Sequence, residues 1–138
     1  MENFKFTYMD KAYELGENNL EYFLNDEEKP VRGIDRESII KLLLEGEEVS
    51  FSKEYYDEPC GNCLNGKVYG QKYFKFLEYH FFIYTKDGNY VISNISKDRK
   101  DNFSTLLNRG LVDDSYIVSL MVCDNCGNYA IEIEQCEI

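Results

Sequence analysis

Apolar and polar residues alternate from the start of the chain. Phe4, Phe6 and Tyr8 are separated by Lys5 and Thr7, a period of two that predicts a strand. The stretch from 11 to 30 is less regular. Asn18-Asn19 ahead of Leu20, Tyr22, Phe23 and Leu24 reads as a short helix with an asparagine cap, followed by an exposed turn at Asp26-Glu27-Glu28-Lys29-Pro30. The clearest helix comes next: Asp35 suits its N-cap, Ile39, Ile40, Leu42, Leu43 and Leu44 form a wide apolar face, and Gly46 can end it. Val49 and Phe51 alternate with Ser50 and Ser52, so a strand is expected to run toward Tyr55.

Leu64-Asn65-Gly66 then reads as a turn. Residues 68–78 fit either period through Tyr73, Phe74, Phe76 and Leu77, and are read as strand. Residues 79–85 and 90–93 flank Lys86-Asp87-Gly88-Asn89, the strongest hairpin signal, because Asp-Gly tolerates the positive φ of a tight turn. Residues 102–108 predict a second short helix ended by Gly110. Two last strands cover 116–122 and 129–133. Along the second, Tyr129, Ile131 and Ile133 point one way, and Ala130, Glu132, Glu134 and Cys136 the other. This order predicts one α+β domain over residues 1–138, an antiparallel sheet with two or three short helices.

Between these elements lie two cysteine corners, Pro59-Cys60-Gly61-Asn62-Cys63 and Cys123-Asp124-Asn125-Cys126-Gly127. Each is a C-x-x-C, and together they supply the four thiols of a tetrahedral zinc site of the zinc-ribbon kind. The second corner sits between two predicted strands, with Gly127 placed where a knuckle turns through positive φ. The ligand set alone leaves three other readings open. They are iron in a rubredoxin-like cage, thiol–disulfide chemistry, and four unremarkable thiols. Neither corner precedes a convincing helix, which speaks against a thioredoxin-type site. The fifth cysteine, Cys136, reads as a small buried residue rather than a ligand.

Charge narrows the partners. With 15 Lys and Arg against 26 Asp and Glu, the formal charge is −11, which opposes approach to phosphate backbones. The N-terminus lacks a basic start followed by an apolar run, so no signal peptide is expected, and no apolar stretch is long enough to span a bilayer. A reducing cytosol is the expected compartment. The 12 Tyr and 9 Phe are read as core volume. His80, the single histidine, has no nucleophile or carboxylate pair tied to it by sequence, and reads as a structural or surface residue.

The run from Tyr55 to Cys63, the segment Tyr73-Phe74-Lys75-Phe76-Leu77-Glu78-Tyr79-His80 and the Cys123–Cys126 corner together resemble a small uncharacterised bacterial family of single-domain proteins. That family is a domain of unknown function, so the resemblance implies no activity and transfers no catalytic residue. The expected role is non-catalytic: a metal-stabilised domain for protein–protein contact or regulation. A redox protein and a small enzyme with a site near His80 are the alternatives.

Overall fold

The N-terminal alternation folds as a hairpin. Strand β1 (Phe4–Tyr8) turns through Met9 and Asp10, at φ 49° and 66°, into the antiparallel β2 (Lys11–Leu15). The computed structural model of the chain describes residues 3–46, 49–61, 63, 73–97 and 99–136, so the turn expected at 64–66 and the start of the 68–78 segment lie outside the described residues.

The segment expected to form the first short helix is instead strand β3 (Leu20–Leu24). It runs parallel to the last strand, β8 (Tyr129–Gln135), pairing Phe23 with Ile131 and Leu24 with Glu132. Asn19 does not cap a helix. Its Oδ1 accepts from Gly16 N–H at 2.9 Å, and its Nδ2 donates to the carbonyls of Glu14 (2.7 Å) and Gly127 (3.1 Å). A five-residue helix would be marginal alone, whereas the strand finds a ready ladder along β8.

Helix α1 (Arg36–Glu45) forms as expected. Asp35 accepts from Ser38 N–H at 2.8 Å while Ser38 Oγ accepts from Asp35 N–H at 2.7 Å, a reciprocal cap worth about 1 kcal/mol. Strand β4 (Ser52–Tyr56) starts later than Val49. Phe51, just ahead of it, is buried and stacks on Phe6 with ring centroids 4.2 Å apart. The long β5 (Phe74–Lys86) turns through Asp87 and Gly88, both at positive φ, into β6 (Asn89–Ser93). Helix α2 (Phe103–Asn108) is capped by the Asn102 side chain on Thr105 N–H at 2.9 Å. It ends in the paired bonds Leu111 N–H to Leu106 and Gly110 N–H to Leu107. Strand β7 (Asp114–Cys123) completes the set.

Of the described residues, 46% lie in strands and 13% in the two helices. A six-stranded sheet runs β3-β8-β7-β5-β4, with β6 on β5, and β3–β8 is its parallel pair. The expected α+β domain built on an antiparallel sheet is therefore overturned. The protein is mostly β with a mixed sheet, because the residues counted toward a helix became an edge strand.

The inner face of this sheet presents Leu77, Phe81, Ile83, Val118, Leu120, Val122, Ile131 and Ile133. These pack with Ile39, Ile40 and Leu43 of α1 and with Tyr13 and Leu15 of β2 in one core. Each such fully buried side chain contributes roughly 1.5–3 kcal/mol. Among the described residues, the outer face is covered at one end, where Leu106 of α2 and Val112 pack on Tyr84.

Candidate metal centre

The second corner is the tip of the β7–β8 hairpin. Cys123 ends β7, and its N–H donates to the Asn128 carbonyl at 2.8 Å while its carbonyl accepts from Gly127 N–H at 3.0 Å. That closure puts Gly127 at φ 80°, as the sequence suggested. The backbone N–H groups of Cys126 and Asn125 point at the Cys123 sulfur. Side chains far away in sequence hold the tip. Lys11 Nζ donates to the carbonyls of Asp124 (2.6 Å) and Asn125 (3.0 Å). The Tyr13 hydroxyl donates to Asp124 Oδ1 at 3.1 Å, and Lys75 Nζ lies 3.4 Å from Asp124 Oδ2.

The first corner follows the edge strand β4. Cys60 is buried, and Cys63 is half-buried. Glu21 of β3 reaches across to it: a Cβ on residue 61 would lie 2.8 Å from Glu21 Oε1, so glycine there admits the carboxylate, whose other oxygen accepts from Asn128 Nδ2 at 3.2 Å.

The fold brings all four thiols together. The Sγ atoms of Cys60, Cys63, Cys123 and Cys126 lie within 4.8 Å of one another. Cys60 is 3.6 Å from Cys126 and Cys63 is 3.5 Å from Cys123, so these close approaches join one corner to the other. A tetrahedron with metal–sulfur bonds of about 2.3 Å has edges of about 3.8 Å, close to these separations. Asn125 Nδ2 also donates to Cys63 Sγ at 3.4 Å, a contact between the corners. Burial pushes the Cys123 thiol well above its usual range, and the amides of Cys126 and Asn125 pull it back only in part. A bound cation is the charge that would stabilise thiolates in this enclosed position. The four cysteines thus form a set that could hold a metal ion.

A family model described as "Protein of unknown function (DUF3785)" matches residues 4–138. The chain belongs to that family. No curated protein and no solved structure matches it. The membership read from the cysteine corners and the Tyr73–His80 segment holds, and it brings no activity with it.

Two other residues singled out in this DUF3785 chain fall elsewhere. Cys136 follows β8 at the end opposite the corner, about 20 Å along the strand, and stands outside the four-thiol group. His80 does have partners: Nε2 lies 2.7 Å from Glu78 Oε1 and Nδ1 lies 2.8 Å from Ser119 Oγ. Sequence reasoning missed this row because Ser119 meets His80 only through the β5–β7 register. The order carboxylate–imidazole–hydroxyl resembles a nucleophile relay, but Ser119 lies mid-strand between β5 and β8. Both ladders occupy the local backbone amides, which removes the obvious oxyanion donors. Lys11, Tyr13, Asn19 and Lys75 were also missed as supports of the corner, since no spacing links them to the cysteines.

Among the described residues, no helix is long and apolar enough to cross a membrane.

Proposed function

We propose that the four cysteines hold one Zn²⁺ and that the ion is a structural clip in a non-catalytic, cytoplasmic domain used for protein–protein contact or regulation. The observation that carries this reading is the convergence of four thiols, from corners far apart in sequence, to within 4.8 Å. Zinc is favoured because a borderline-soft d¹⁰ ion accepts four thiolates tetrahedrally without demanding a geometry the fold must strain to supply. The position of the second corner, on a hairpin tip between two strands rather than at the start of a helix, favours structural metal over thiol exchange. No nucleic acid or membrane is part of the proposal, because a net charge of −11 opposes anionic surfaces.

The test is elemental analysis of protein purified under reducing conditions. About one zinc per chain is expected, because one tetrahedral site takes four thiols. Metal-free protein would overturn the reading. Bound iron, visible as thiolate charge-transfer absorbance, would replace it with an electron carrier.

A further inference from the structure

On the outer face of the sheet, beside the first corner, lies a cleft of about 520 Å³, within the size range of ligand sites. Phe76, Met121 and Ala130, on three neighbouring strands, supply apolar surface. Tyr22 from β3 and Tyr56 from β4 approach from the two edges of the sheet. The segment after Tyr56, through Pro59 to Gly61, continues the second side. Four carboxylates line the cleft, those of Glu21, Asp57, Glu58 and Glu132, and among the described residues no lysine, arginine or histidine does.

We infer that this cleft is the docking site for an arginine-bearing segment of a partner protein. A half-buried apolar floor asks for an aliphatic or flat group, and a rim of carboxylates with no lysine, arginine or histidine among the described lining residues asks for positive charge. A guanidinium on a three-carbon stem supplies both. It can lie flat against a tyrosine ring while donating two parallel hydrogen bonds to one carboxylate. Tyr22 and Glu132 are placed for such a pair, since the Tyr22 hydroxyl already donates to Glu132 Oε1 at 3.2 Å. Burial and this carboxylate raise the titration of Tyr22, so it stays a neutral donor. A second, acidic groove of about 870 Å³ shares Glu132 and continues past Leu24 and Glu134, giving an extended chain room to run on.

This inference deepens the proposed role in protein contact, and gives the clip a use. Cys60 and Gly61 are both lining residues, so an ion holding Cys60 holds one wall of the cleft.

The probe is a fluorescein-labelled pentapeptide, Gly-Arg-Ala-Arg-Gly, titrated with metal-quantified protein and followed by anisotropy. A second peptide carries citrulline in place of arginine, keeping the shape without the charge. The arginine peptide is expected to bind at least about ten-fold more tightly than the citrulline one, the scale of one well-formed charged contact. Glu132→Gln and Tyr22→Ala should each weaken it by about five-fold or more with an unchanged melting temperature. Glu37→Gln removes the same charge from α1, on the opposite face, and should leave affinity unchanged. No binding by zinc-replete protein would overturn the docking site and leave the clip standing. An equal loss in Glu37→Gln and Glu132→Gln would also overturn it, as mere attraction to an acidic chain. Intact binding by protein that is metal-free as purified under reducing conditions would overturn the clip and leave the docking site standing.

Discussion

The two cysteine corners carry the same motif in different settings. The second is the tip of a hairpin whose strands lie inside the sheet, and it is braced by Lys11, Tyr13, Asn19 and Lys75. The first hangs from β4, an edge strand, and is met by Glu21 from the opposite edge. Among the described residues, the braces gather at the second corner, and an ion shared between the two would convert their approach into a fixed junction. The general lesson is that the two halves of a metal site can be built by different parts of a fold, with the ion contributing free energy to their union.

The largest effect should come from breaking the junction. The segment between Cys63 and Cys123 spans residues 64–122, 59 in all, and by analogy with a disulfide closing such a loop a shared ion would contribute roughly 4 kcal/mol. Cys60→Ser, Cys63→Ser, Cys123→Ser and Cys126→Ser should each lower the melting temperature strongly and by similar amounts. A double change with one from each corner should add little, because the first already disables the site. Thermal melts with metal measured on each variant decide this. Full metal after loss of one corner would mean that the corners share no ion.

Smaller changes probe the asymmetry. Gly127→Ala forces alanine into left-handed backbone at φ 80° and should cost about 1 kcal/mol, through strain alone, since nothing lies within 4 Å of the added Cβ. Among the described residues, Gly61→Ala meets the end of the flexible Glu21 side chain and should cost less. Denaturant midpoints rank the two, and the reverse order would mean that the Glu21 contact at the first corner matters more than the left-handed turn at the second.

Tyr13→Phe deletes the hydroxyl that binds Asp124 and should cost about 1 kcal/mol while leaving metal stoichiometry at the wild-type value. A change in stoichiometry would make the brace part of the binding site itself. The smallest effect is expected at the far end of β8. Cys136→Ser should leave metal content unchanged and cost less than about 1 kcal/mol, because the thiol is only half-buried and outside the cluster. Metal loss in that variant would reassign the ligand set.

Much of this protein follows from local sequence. The α1 cap at Asp35, the Asp87-Gly88 hairpin, the α2 cap at Asn102 and the period-two faces of the last strands are each written within a few residues, because caps, turns and amphipathic periods are short-range physics. The four thiols could be named from spacing and chemistry, since few other roles suit paired C-x-x-C corners. Three things belonged to tertiary structure. Leu20–Leu24 became a strand because β8 offered it a parallel ladder, which no local signal encodes. The bracing of the second corner and the Glu78–His80–Ser119 row depend on strand register between segments 39 to 113 residues apart. So does the cleft, whose walls come from opposite edges of one sheet. Register is set by the packing of the whole inner face, and side chains on the outer face inherit their neighbours from it.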